Sequence, residues 1–141
     1  MRQTAHMDRH HPSLGCAYFN QLSYRFVESD LADAIVELDV TDDLRGPNGG
    51  VHAGVTTLLA DVAGAMAIAA RTARGGATSS VSVHCLAPAQ VGPLRATAKM
   101  LRASKNSALA DVQVTDVGNA DRLVAVAHVT CGLFSSAGSS T

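Results

Sequence analysis

Asp61 is the only charged residue between Arg45 and Arg71. It interrupts a long run of Ala, Val, Leu and Ile whose composition favours a helix from Ala53 to Ala70. About two turns in, it is too deep to cap the helix, and the dipole's benefit fades within the first turn. An unpaired carboxylate in such a helix is costly. It is therefore either a structural group satisfied by hydrogen bonds, or it faces a cavity and serves a ligand or a reaction. At 3.6 residues per turn, Gly54, Thr57, Asp61, Gly64, Ala65 and Ile68 share one small, partly polar face. Val55, Leu58, Leu59, Val62 and Met66 share the ordinary core seam.

The segment before this helix supplies a second kind of chemistry. Gly46-Pro47-Asn48-Gly49-Gly50-Val51-His52 is too rich in Gly and Pro for a helix or strand. Its glycines let the backbone approach a ligand closely. A helix starting near Ala53 leaves its first N–H groups unsatisfied, and such donors can stabilise a developing oxyanion. Asn48 and His52 flank them. Each also has a plain structural reading, Asn48 as a turn residue after Pro47 and His52 as a helix cap. Nine residues separate His52 from Asp61, about 14 Å along a helix. Asp61 cannot reach an acyl group held at its own helix start. Two antiparallel helices across a two-fold axis would bring Asp61 of one chain to the loop of the other.

The elements that must position these groups follow from the pattern. Strand-like runs cover Leu22–Val27 and Ala34–Val40, the second alternating well. The helix follows, with Gly75-Gly76 placed to stop it. Four strands then run over Thr78–Leu86, Leu94–Leu101, Ala108–Val114 and Leu123–Phe134, with turns between that read as hairpins. This is an α+β pattern, with one long central helix wrapped by a curved antiparallel sheet. Residues 1–12 read as a flexible arm carrying His6, His10 and His11, residues 13–135 as a single domain, and residues 136–141 as a flexible tail.

Composition narrows the class. The chain has 141 residues, 47% of them hydrophobic but only 4% aromatic and none Trp. An Ala- and Val-rich core of this kind gains from dimerisation. A net charge of -1 gives no sign of a general nucleic-acid binder. The longest apolar stretch is broken by Asp61, so no membrane span is expected. Three widely spaced cysteines, Cys16, Cys85 and Cys131, suit a reducing cytoplasm. No ligand cluster marks a metal site. His84, His128, Cys85 and Cys131 fall in strands and read as packing residues.

The stretch NGGVHAGVTTLLAD, with the later SVSVHCLAPAQVGPLRATAKMLRASK, resembles the PaaI-like, 4-hydroxybenzoyl-CoA thioesterase-II type family of hot-dog-fold acyl-CoA thioesterases. The resemblance spans roughly residues 22–134. It implies a hot-dog fold and hydrolysis of an acyl-CoA to a carboxylic acid and free coenzyme A at a composite homodimer site, in a dimer or a dimer of dimers. No cofactor is implied beyond the coenzyme A of the substrate. Carried onto this chain, Asp61 would be the general base or the nucleophile. The Ala53 N–H would hold the thioester oxygen, with Asn48, His52 and Gly54 shaping the loop. Thr78, with Ser79 or Ser80 nearby, would set a hydroxyl beside Asp61. This chain has His52-Ala53-Gly54 where the family has His-Gly-Gly, so the oxyanion donor survives provided position 53 needs no left-handed backbone.

Arg95, Lys99, Arg102 and Lys105 stand out in a chain with only 11 Lys and Arg. They read either as a solvated strand face or as a dock for coenzyme A phosphates. Other readings of the whole chain are a non-catalytic acyl-CoA-binding sensor and a purely structural dimer. Neither gives Asp61 a task. A hot-dog hydratase would carry Asp and His close together in one loop-helix motif, which is not found.

Overall fold

The computed structural model describes residues 16–135. The expected arm, its three histidines and the expected tail lie outside them. Within them a short helix α1 (Ala17–Gln21) leads to strands β1 (Tyr24–Val27) and β2 (Ala34–Leu38). One 3-10 turn (Asp42–Leu44) and the glycine loop follow, then helix α2 (Ala53–Thr72). Strands β3 (Gly76–Cys85), β4 (Leu94–Ala103), β5 (Ser107–Asp116) and β6 (Arg122–Leu133) complete the chain.

The strands form one antiparallel sheet in the order β1-β2-β4-β5-β6-β3. α2 packs against β2 through β6, so the sheet curls around it. This is the expected α+β, hot-dog architecture. One connection differs from the expectation. β4, β5 and β6 are a hairpin meander, but β3 does not pair with β4. It crosses to the far edge and pairs with β6, with Thr78 opposite Cys131 and Cys85 opposite Ala125. The Pro88–Pro93 segment is therefore a crossover, not a hairpin turn. Among the described residues one edge of β3 has no partner strand, and most of its residues are exposed.

α2 buries Val55, Leu59, Val62, Ala63, Ala67 and Ile68 against the sheet. Leu59 is fully buried, and shortening such a residue to Ala costs about 2–5 kcal/mol. The helix is 20 residues long and apolar enough by composition to cross a membrane, yet half of that window is buried in this fold. It is the core helix. Its faces divide differently from the wheel expectation. Leu58 is half-buried beside Thr57, Asp61 and Ala65, whereas Gly64 and Ile68 are buried in the core. The reason at Gly64 is steric. A Cβ there would come within 2.7 Å of Val129 Cβ on β6.

The helix stop also differs. α2 ends at Thr72, and Ala73 supplies the left-handed residue at φ 53°, its N–H donating to Ala69 C=O. Gly76 instead opens β3, where a Cβ would meet Gly132 C=O at 2.5 Å. Among the aromatics, Phe19, Tyr24 and Phe26 stack in sequence, with ring centroids 4.4 Å and 5.7 Å apart.

Candidate active site

The Gly46–His52 loop is tied down from several sides. Gly49 takes φ +85°, a conformation that favours glycine. The Arg45 guanidinium donates to Gly49 C=O at 2.8 Å and pairs with Asp42. Val51 N–H donates to Ala89 C=O, and His52 N–H to Leu44 C=O. His52 is the N-cap of α2, and its Nδ1 accepts from Gly54 N–H at 2.9 Å. A Cβ on residue 54 would sit 3.0 Å from that Nδ1, so glycine there makes room for the cap.

This arrangement selects one free donor. His52 consumes the Gly54 N–H, and His52 C=O accepts from Val55 and Thr56. The Ala53 N–H has no partner among the described residues. Left-handed non-glycine backbone occurs among them at Ala73, Ala120 and Asp121 and not at Ala53. Alanine therefore stands at position 53 without backbone strain, with its N–H directed away from the helix. Ala53 lines two clefts. One, of about 300 Å³, also takes in Gly46, Asn48, His52 and Gln90. The other, of about 310 Å³, is more apolar, with Val51, Leu86, Ala87, Pro88 and Val124 beside Thr56 and Cys85.

Asp61 lies elsewhere. It is half-buried on α2, and its Oδ1 accepts from Thr78 Oγ1 at 2.7 Å. That leaves its second oxygen unengaged among the described residues. Thr78 also lies 4.0 Å from Cys131 Sγ. Burial pushes the Cys131 thiol above its usual range; the Thr78 contact pulls against that, and the Asp61 charge adds to it. The thiol stays protonated and serves as packing. Ser79 instead donates to Thr130 C=O.

The structure thus brings Asp61 and Thr78 together, and separately gathers Asn48, His52, Ala53 and Gly54. It does not join the two groups within one chain. Thr78 is near the start of β3, whereas Cys85, at its end, lines a cleft with Ala53.

The four basic residues do not converge on either group. Arg95 is engaged by Glu37, at 3.0 Å, and Glu37 also pairs with Arg25. Arg95 and Lys99 alternate with the buried Leu94, Ala96 and Ala98, and a bulge between Met100 and Arg102 turns Arg102 to the same outer face, so all three point away from α2. Lys105 lies in the exposed β4–β5 turn. Three strand residues expected to be packed are exposed: His84, Cys85 and His128, the last paired with Asp111 at 3.3 Å. Only Cys131 is buried. Arg45 and Asp116 were not singled out from the sequence. Arg45 had one available signal, as the cation that opens the glycine loop. No three His, Cys, Asp or Glu residues cluster in metal-binding geometry among the described residues.

The thioesterase superfamily model matches residues 48–123, more than half of the chain, including the glycine loop, α2 and β3. The chain belongs to the thioesterase superfamily. Within reach of that superfamily, it is 24% identical over 111 residues to a 1,4-dihydroxy-2-naphthoyl-CoA hydrolase of Listeria monocytogenes, covering 77% of this chain and 89% of that one. It superposes on AziG of S. sahachiroi with a TM-score of 0.74 at 28% identity, over 85% of this chain and 98% of that one. The PaaI protein from the phenylacetic acid degradation operon of E. coli gives 0.75 at 22% identity, over 85% and 86%. At that identity the likeness is one of fold.

Proposed function

We propose that the protein hydrolyses an acyl-CoA thioester at two equivalent sites, each built from two copies of the chain. The observation that carries this is the division of the site along β3. The Asp61–Thr78 pair stands at one end of that strand and the free Ala53 N–H at the other. β3 is 10 residues long and has one edge unpaired among the described residues. Pairing two such edges antiparallel places Thr78 and Asp61 of one copy against Cys85 and Ala53 of the next. Such an open edge is also a liability unless something covers it.

In this site the Ala53 N–H at the helix start holds the thioester oxygen as it gains charge. Thr78 fixes one oxygen of Asp61 and leaves the other toward the substrate. As general base, Asp61 takes a proton from water while the water oxygen attacks the thioester carbon. The tetrahedral intermediate then collapses, the C–S bond breaks, and the departing thiolate takes a proton to give coenzyme A. As nucleophile, Asp61 would attack the same carbon and expel the coenzyme A thiolate, which takes a proton, and water would then hydrolyse the acyl–Asp61 anhydride to the acid and the free carboxylate. Rapid-quench trapping in a single turnover separates the two, since only the nucleophile route acylates the Asp61 carboxylate. The two clefts that meet at Ala53 suit a substrate with an apolar acyl arm and a polar pantetheine arm.

The deciding experiment is a panel of aryl and medium-chain acyl-CoA substrates with a thiol-detecting readout. Thiol release is expected, unchanged by a chelator. Tight binding of acyl-CoA without thiol release would establish instead a non-catalytic acyl-CoA-binding domain.

A further inference from the structure

Asp116 is the most deeply buried charged group among the described residues, with no exposure at all. It closes β5, where its backbone pairs with Leu94 and Arg122. Both carboxylate oxygens are spent on one short segment. Oδ2 accepts from Gln90 N–H at 2.8 Å and from Val91 N–H at 3.0 Å, and Oδ1 accepts from Gly92 N–H at 2.7 Å. Removing a carboxylate from water is costly, and it is tolerated here because three aligned donors replace the lost hydration. A crossover that only had to link β3 to β4 would need no such anchor.

The anchored segment carries a second contact. Ala89, next to Gln90, is buried, and its C=O accepts the Val51 N–H at 2.8 Å. A Cβ on Gly50 would stand 3.4 Å from the same oxygen. Val51 directly precedes the His52 cap and the free Ala53 N–H. From Asp116 to the oxyanion donor the path is short and consists of hydrogen bonds and adjacent peptide units. Arg45 restrains the other side of the loop through Gly49 C=O.

We propose that Asp116 is a positioning residue for the thioester site: through the 89–92 segment it sets the place of Val51, and so of the Ala53 N–H. This rests on the thioesterase reading for its kinetic consequence but not for its structural one. The chemistry asks for Asp in particular. Asn offers one acceptor oxygen and turns an NH₂ toward N–H donors.

Asp116→Asn tests it by two readouts on the full-length protein. The oxyanion contact strengthens in the transition state, so kcat should fall about tenfold while KM moves less than about twofold. Amide exchange at Val51, His52 and Gly54, whose N–H groups are hydrogen-bonded, should quicken by at least about tenfold, with that of β5 and β6 residues distant from Asp116 unchanged. Should Asp116→Asn fail to fold, an amide-to-ester replacement at exposed residue 90 removes one of the three donors without constraining Ala89 and should give the same pattern in weaker form. A folded variant with wild-type kcat, or one whose faster exchange stops at Gln90–Gly92, overturns the proposal. If the wild-type protein releases no thiol from any acyl-CoA, the thioesterase reading fails. The exchange measurement then still decides whether Asp116 controls the loop.

Discussion

The two halves of the proposed site are held in opposite ways. The Gly46–Ala53 loop is fixed by the Arg45 side chain, two strand-like backbone bonds and the His52 cap, so the place of the free Ala53 donor is defined by what surrounds it. Among the described residues the Asp61 half has a single side-chain bond, from Thr78, and Thr78 stands on a strand whose outer edge is unpaired. An oxyanion donor must be in place before charge develops, because reorganising it during reaction forfeits its benefit. A carboxylate that works on water needs an open oxygen. In the composite site proposed above, the chain itself finishes one half, and a second copy would complete the other.

The sharpest way to break this comparison is Asp61→Asn, which keeps shape and hydrogen bonding but cannot take a proton. A general base contributes about 10²–10⁴ in rate. We expect kcat to fall by that factor with the fold and assembly intact, as read by steady-state kinetics and circular dichroism. The matching change on the other side is Ala53→Pro. Proline is well accepted at the first position of a helix, and His52 already has φ -57° and ψ 135°, which a following proline tolerates. The variant deletes the donor and little else, and the expected loss in kcat is about 10²–10³. Mixing Asp61→Asn chains with Ala53→Pro chains should then restore activity, because mixed dimers hold one intact site. If activity stays absent after subunit exchange has been verified by mass spectrometry, both halves act within one chain.

Thr78→Val should cost about tenfold in kcat, the scale of one hydrogen bond to a charged group, with KM nearly unchanged. Among the basic residues the structure separates two outcomes. Arg95→Ala should lower the melting temperature by removing a partner of the buried Glu37. Alanine at Lys99, Arg102 or Lys105 should raise KM a few-fold at one position or more if phosphates dock there. No change in KM at any of the three returns them to a solvated face.

A last, smaller effect concerns the loop's support. Burial raises the Asp116 carboxyl, but the three backbone donors and the Arg45 charge outweigh it and hold it below its ordinary value. The contribution of such a group is complete above the unfolded value near pH 4 and disappears as pH falls through the folded value. Urea midpoints for the wild type should therefore drop over that acid window more than those for Asp116→Asn.

Much of this was legible in the residues. α2 was plain because Gly46–Gly50 sets its start and an Ala-rich run carries it. Asp61 stood out because nothing charged surrounds it. Strand pairing was not legible, since alternation marks a strand but says nothing of its neighbour, and β3 reads like any hairpin partner of β4. Gly64 was misplaced because a small residue leaves space for a ligand or for Val129 alike. The Arg95–Glu37 pair joins residues 58 apart in sequence, a contact that only the β2–β4 register creates. Asp116 reads as an ordinary turn acid after a strand. Its role depends on three N–H groups more than twenty residues upstream.

The strand order has a consequence for synthesis. Among the described residues β3 is hydrogen-bonded only by β6, the last of the six strands in chain order, which ends at Leu133. Thr78 therefore emerges from the ribosome long before the strand that will hold it, and Asp61 waits with it. Pairings between segments this far apart in sequence form late, after the local hairpins. A chain cut short before β6 could make the glycine loop and α2, yet it could neither orient its carboxylate nor offer an ordered edge to a partner. Under the proposed mechanism, a chain without β6 would lack an oriented Asp61 and would be inactive.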